Sequence, residues 1–179
     1  MKGLIADTER VLDGRPLDVL VNNAGIAEFV RFEDTTADVI DRQLAVNVRA
    51  PFLLTRGLVG RMPEGGRVVF LTTAVTRTHF PNIIAYATSK GAVDTLILHL
   101  AAELGPRGIR VTGVAPGAID TDMSAWLRSD EGVATTHGVQ ALRRVGQADD
   151  VAGVIAFLAG PDAGWVTGDI VNVSGGTKL

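Results

Sequence analysis

Tyr86 and Lys90 stand four residues apart in the stretch TTAVTRTHFPNIIAYATSK, residues 72–90. Residues at i and i+4 share one face of a helix, so a helix here sets a phenol beside an ammonium. A cation next to a phenol favours phenolate and lowers its pKa towards a useful range. Thr73 adds a hydroxyl from the end of the preceding β-branched run. Together the three groups could pass a proton to or from a substrate oxygen. Other chemistries lack their residues. With no cysteine there is no thiolate and no disulfide framework. No G-x-S-x-G and no P-loop occur, which argues against a hydrolase and against a kinase or ATPase. His79, His99 and His137 are scattered without paired ligand spacing, so no metal site is expected.

The elements that must position these groups follow from periodicity. Arg67 to Thr73 is a β-branched run that reads as a buried strand. A loop with Pro81 and Asn82 leads into the helix of Tyr86 and Lys90. Its residues Val93, Leu96, Ile97, Leu100 and Leu104 follow helical spacing, and Gly105-Pro106 ends it. Ala92, Leu98 and Ala102 fall elsewhere on its circumference, so this helix is expected to be covered on more than one side. Upstream, residues 1–12 read as the end of a helix broken by Gly14 and Pro16. Residues 17–21 form a strand running into Asn22-Asn23-Ala24-Gly25, which taken alone is just a turn. A helix starts near Thr35, with Asp38 as its capping partner, and runs past Asn47. Pro51 has no N–H to give the Asn47 carbonyl, so a kink with that C=O left free is expected; a plain helix break capped by Asn47 is the alternative.

Downstream, residues 109–114 form a strand closed by Ala115-Pro116-Gly117. Residues 118–147, with Met123, Trp126 and Leu127, read either as a substrate lid or as packed short helices. A helix follows with Asp149 and Asp150 in its first turn and Val151, Val154, Ile155 and Leu158 as its apolar face. Residues 169–173 form the last strand. Four strands alternating with helices argue for an α/β parallel sheet in a single domain spanning residues 1–179. Ligands bind beyond the carboxyl ends of such strands. Asn23, Thr73, Pro116 and Gly117 all fall there, and so does the start of the Tyr86 helix.

Composition sets bounds on partners. The chain has 179 residues, enough for one full core. A net charge of −3 points away from nucleic acid. No stretch is long and apolar enough to span a membrane. The start is broken by Asp7, Glu9 and Arg10 and does not read as a signal peptide, which with the lack of cysteine suits a cytoplasmic protein. The glycosylation sequon at Asn172 is discounted for the same reason.

Seven pieces occur in a recognisable order: LDVLVNNAG (17–25), the helix with Asn47, LTT (71–73), Tyr86-Ala87-Thr88-Ser89-Lys90, IRVTGVAPGAIDT (109–121), RRVGQADDVAGVIAFLAG (143–160) and VTGDIVNVSGG (166–176). In this series the chain resembles the C-terminal two-thirds of a short-chain dehydrogenase/reductase. The resemblance implies a Rossmann-like parallel sheet with flanking helices and hydride transfer between NAD or NADP and a small-molecule carbonyl/alcohol pair. It makes Tyr86 the general acid in reduction and the base in oxidation. Lys90 would lower the Tyr86 pKa and hold the nicotinamide ribose, and Asn47 would anchor a water in a proton relay. Asn23, Ala24 and Gly25 would contact the adenosine side of the cofactor. Pro116, Gly117, Ile119 and Thr121 would hold its nicotinamide end.

The chain departs from the family pattern at three points. The family's catalytic serine falls on Thr73, whose methyl stiffens χ1 and narrows the pocket. Ser174 stands where the family often has Asp. No G-x-G occurs anywhere, so the Gly-rich phosphate loop and the residue that selects NAD or NADP are absent from these 179 residues. The resemblance therefore describes a domain truncated at its N-terminus, with residues 17–21 as an exposed sheet edge and weak dinucleotide binding. It also implies a homo-oligomer paired through the Tyr86 helix. A non-catalytic association subunit or remnant is the alternative reading.

Overall fold

The computed structural model describes residues 2–178. Met1, expected in the first helix, lies outside them. Helix α1 (Lys2–Leu12) precedes strand β1 (Val19–Asn22). Helices α2 (Ala37–Leu44) and α3 (Ala50–Leu58) lead to β2 (Arg67–Leu71). Helix α4 (Ile84–Leu104) leads to β3 (Arg110–Pro116). Helices α5 (Asp130–Val139) and α6 (Ala148–Ala159) lead to β4 (Ile170–Val173). The four strands are parallel in the order β1-β2-β3-β4. Parallel strands need long crossovers, and the intervening helices supply them.

The alternation of side chains along β2 divides the core. Val68 and Phe70 point to one face, where they meet Leu58 from α3 and Val93, Ile97 and Ala101 from α4. Val69 points to the other face, where it meets Val151 and Leu158 from α6. A strand buried on both faces reads as a continuous apolar run, which is why Arg67–Leu71 is so plain in the sequence. β1 is different. It pairs only with β2 and closes one side of the sheet. Leu20 is buried, but Val21 is 39% exposed. The edge expected from the sequence is therefore present among the described residues.

The entry to α2 is capped one residue later than the spacing suggested. The Thr36 hydroxyl accepts from the Val39 N–H at 3.4 Å, while the Thr35 hydroxyl donates to the Arg31 carbonyl. Asp38 sits in the first turn, where its charge suits the helix dipole without completing a capping box. At its far end α2 does not break. It passes into a π-helical turn over Ala45–Arg49, with the Ala50 N–H bonded to the Ala45 carbonyl, and then into α3. Pro51 offers no donor to the α-helical ladder, and a wider i→i+5 turn is a known way to absorb such a gap.

Candidate active site

Asn47, Thr73 and Lys90, all singled out in the sequence, are buried near the carboxyl ends of β1 and β2, with the half-buried Tyr86 beside Thr73. Asn47 lies inside the π-helical turn and is 1% exposed. Its side-chain amide is used on both sides. Oδ1 accepts from the Ile26 N–H, and Nδ2 donates to the Ile26 carbonyl and to the Ser89 Oγ, all at 2.9 Å. Lys90 is buried, and its Nζ donates to the Leu71 carbonyl at the end of β2 at 2.7 Å. Gly25 closes the gap between them. A Cβ at this position would stand 3.2 Å from Asn47 Oδ1 and 3.3 Å from Lys90 Nζ. The loop after β1 thus needs a glycine because two functional side chains press against its backbone.

Thr73 follows β2 in extended conformation and is buried. Its Oγ1 accepts weakly from the Val75 N–H at 3.5 Å and starts a short 3₁₀ turn. Burial raises the pKa of the Tyr86 phenol, while hydrogen bonding with Thr73 pulls it down in part. The lowering by Lys90 that the spacing suggested is not seen: burial dominates at Tyr86, and the Lys90 ammonium is turned to Leu71. Lys90 itself is brought down to about 8 by burial, against a pull upward from the Asp94 charge. At neutral pH the site therefore holds a protonated phenol next to a mostly protonated amine that gives up its proton unusually easily.

Two residues near these groups escaped the sequence reading. Ser89, fully buried, donates its hydroxyl proton to the Tyr86 carbonyl at 2.8 Å and accepts from Asn47. Asp94 lies one turn beyond Lys90. Burial raises its pKa, opposed by hydrogen bonds with Thr76 and Thr72 and by the charges of Arg77 and Lys90. Its i+4 spacing from Lys90 was a usable signal. For Ser89, three residues from Tyr86, spacing alone did not announce Asn47, which lies 42 residues away.

The other expected residues line the same edge of the sheet. Asn23 and Ala24 are exposed just beyond β1. Pro116 ends β3 opposite Val173, and the Gly117 N–H donates to the Val173 carbonyl at 3.1 Å. A Cβ at Gly117 would stand 2.7 Å from the Ser174 Cα, so this glycine is also set by a close backbone approach. Ile119 makes a single parallel bridge with Gly146, and Thr121 opens the 3₁₀ segment Asp122–Arg128. Residues 118–147 take the second of the two forms expected of them, packed short helices. They fold into short helices with Leu127 and Thr136 buried, and Trp126 meets Phe80 from the loop before α4 with ring centroids 6.0 Å apart.

The residues fit the nicotinamide end of a dinucleotide. Lys90 is a buried ammonium with three N–H groups and one bonded protein acceptor, Leu71, so it can serve ribose hydroxyls. The Gly25 backbone packs directly beside the Lys90 ammonium, where a Cβ would stand 3.3 Å from Nζ.

Comparison with known proteins agrees with this geometry. Residues 1–178 match the family model described as enoyl-(acyl carrier protein) reductase. An uncharacterized oxidoreductase of Methylorubrum extorquens is 41% identical over 164 residues, covering 90% of this chain and 66% of that protein. A cyclic-di-GMP-binding biofilm dispersal mediator protein of Escherichia coli is 38% identical, covering 95% of this chain and 73% of that protein. The crystal structure of an angucycline C-6 ketoreductase with bound NADP superposes with a TM-score of 0.92 at 38% identity, covering 98% of this chain and 70% of that one. The chain thus spans about two-thirds of the length of these relatives. With the parallel sheet, the Tyr86–Lys90 helix and the buried Asn47 in their places, the chain belongs to the short-chain dehydrogenase/reductase family.

Proposed function

We propose that this chain carries the catalytic part of an NAD(P)-dependent oxidoreductase that interconverts a small-molecule carbonyl and its alcohol. The observation that carries this reading is the cluster of buried Thr73, Lys90 and Asn47 with half-buried Tyr86 at one edge of the sheet. Lys90 would hold the nicotinamide ribose, with Pro116, Gly117, Ile119 and Thr121 along the neighbouring strand end and Asn23, Ala24 and Gly25 towards the adenosine. When bound, the cofactor supplies the hydride that goes to the carbonyl carbon. Tyr86 gives its phenolic proton to the carbonyl oxygen, and its raised pKa keeps that proton in place at neutral pH. The Thr73 hydroxyl orients the same oxygen. Lys90, with a pKa near 8 and its Nζ on the Leu71 carbonyl, is a nearby amine that gives up a proton readily and can help reload the phenol. Asn47 fixes the turn whose backbone borders this path.

The NADP in the superposed ketoreductase supports NADP as the cofactor. The test is direct. Oxidation of NADPH and NADH should be followed with a set of ketones and aldehydes, raising each cofactor until the rate saturates. Carbonyl-dependent oxidation is expected. Its absence with both cofactors would favour the second reading, a non-catalytic association subunit.

A homo-oligomer is part of the proposal. Leu44, Val48, Phe52 and Leu53 line an open groove of about 780 Å³ along the outer side of α2 and α3. On α4, Leu98 is 59% exposed between the exposed Ala92 and Ala102. Apolar faces of this kind suit a second copy of the chain. Sedimentation at micromolar concentration is expected to give a dimer or larger species, and a clean monomer would count against it.

A further inference from the structure

We propose that Ser89 is a positioning residue that locks the Asn47 turn to the helix carrying Tyr86 and Lys90. The inference rests on the oxidoreductase reading above for its catalytic consequence, but the lock itself stands on hydrogen-bond geometry. Ser89 is fully buried and has one hydroxyl proton. That proton goes to the Tyr86 carbonyl at 2.8 Å. The Oγ lone pair is then the acceptor for Asn47 Nδ2 at 2.9 Å. The direction of the chain is fixed: Asn47 amide to Ser89 hydroxyl to Tyr86 carbonyl. A flipped Asn47 amide would set its oxygen against the Ile26 carbonyl and its nitrogen against the Ile26 N–H, so the amide has one productive orientation. Consecutive bonds that point the same way reinforce one another in a buried setting.

The lock joins pieces that the sequence keeps apart. Asn47 holds the loop after β1 through both polar atoms of Ile26, and Ser89 holds Asn47 to α4. Tyr86 lies three residues before Ser89 on that helix and Lys90 one residue after it. Side chains that must meet one substrate oxygen within a fraction of an ångström are thus referred to one internal hydroxyl. Ser89 has no surface exposure and touches none of the reacting atoms, so it acts through Asn47 and Tyr86.

The test compares Ser89→Thr with Ser89→Val, which add nearly the same bulk and differ in the hydroxyl. The first readout is amide hydrogen exchange at Ile26, which needs no substrate or cofactor. Exchange is expected to be about tenfold faster in Ser89→Val than in Ser89→Thr, as for the loss of one buried hydrogen bond. The second is steady-state turnover, where kcat is expected to fall about tenfold in Ser89→Val with little change in KM, and to be largely retained in Ser89→Thr. Ser89→Ala, which adds no bulk, provides the same comparison with wild type should the larger side chains impair folding. Equal Ile26 exchange with and without the hydroxyl would overturn the lock. Faster exchange with unchanged kcat would overturn its positioning role. A wild-type chain without turnover would instead count against the oxidoreductase reading, and the exchange measurement would still decide the lock.

Discussion

Tyr86 and Lys90 share a helix face, yet burial sets the proton affinity of each more strongly than their mutual charge does. Tyr86 is a loaded acid at neutral pH. Tyr86→Phe keeps the ring and deletes the proton donor, so turnover is expected to drop by about 10²–10⁴-fold, the usual worth of a general acid. Wild-type turnover in that variant would sink the assignment. Lys90 gives a prediction that needs no substrate. Its pKa falls from 10.5 to about 8 on folding. Between these values the unfolded chain holds a proton that the folded chain has lost, so stability rises with pH across the window. The slope approaches ~1.4 kcal/mol per pH unit. Below pH 8 the cost of burying the cation is fully present. Above pH 10 the raised Tyr86 pKa acts in the opposite sense, because the folded chain then keeps a proton the unfolded chain releases. Denaturant midpoints measured from pH 7 to 10 should climb less steeply in Lys90→Met than in the wild type. Parallel curves would show that Lys90 does not titrate in this range.

At the scale of elements, the stretch from α2 to α3 is the least ordinary part of the molecule. A π-helical turn costs hydrogen-bond geometry and persists where something requires it. Here Pro51 lacks the donor that an α-helix would aim at the Asn47 carbonyl, and Asn47 is anchored by Ile26 and Ser89. Pro51→Ala returns a backbone N–H at that place and removes the reason for the wide turn. The helix should gain or keep stability, since proline is the poorest helix former. Catalysis should lose several-fold in kcat as Asn47 shifts. Thermal melting and kcat measured on the same preparation separate the two effects. A variant with unchanged kcat would show that the turn is held by tertiary bonds alone.

For the whole molecule, the exposed β1 edge and the missing G-x-G bear on cofactor affinity. A dinucleotide's pyrophosphate is ordinarily met by backbone N–H groups at a helix N-terminus after a Gly-rich loop. Each hydrogen bond to a charged group that is not made costs about 1.5–3 kcal/mol. Two such losses weaken binding by about a hundredfold or more. The 179-residue chain is therefore expected to bind NADPH and NADH with half-saturation nearer ~1 mM than ~1 μM, followed by nicotinamide fluorescence. Saturable micromolar binding without a partner would show that the nicotinamide half-site suffices. The unpaired backbone of β1 beside the exposed Val21 also offers a place for another strand to pair.

Much of this architecture was legible in the residues. The run Arg67–Leu71 declares a strand buried on both faces, and the spacing of Val93, Ile97 and Leu104 declares α4. Such periodicities are local consequences of burial, and they carried the four strands, their parallel direction and the Tyr86–Lys90 pair, whereas the strand order came from the structure. Strand ends moved by one or two residues, with Asn22 in β1 and Pro116 in β3, because pairing with a neighbour sets where a strand stops. The proton affinities of Tyr86 and Lys90 were not legible. A cation beside a phenol is a statement about two residues, whereas desolvation depends on everything packed around them. Pro51 signalled an irregularity, but its form, a π-helical turn with Asn47 bonded to Ile26 and Ser89, was not legible. Ser89 itself shows the division most plainly. Its place beside Tyr86 and Lys90 is sequence, while its bond to Asn47 exists only because the sheet brings two distant helices side by side.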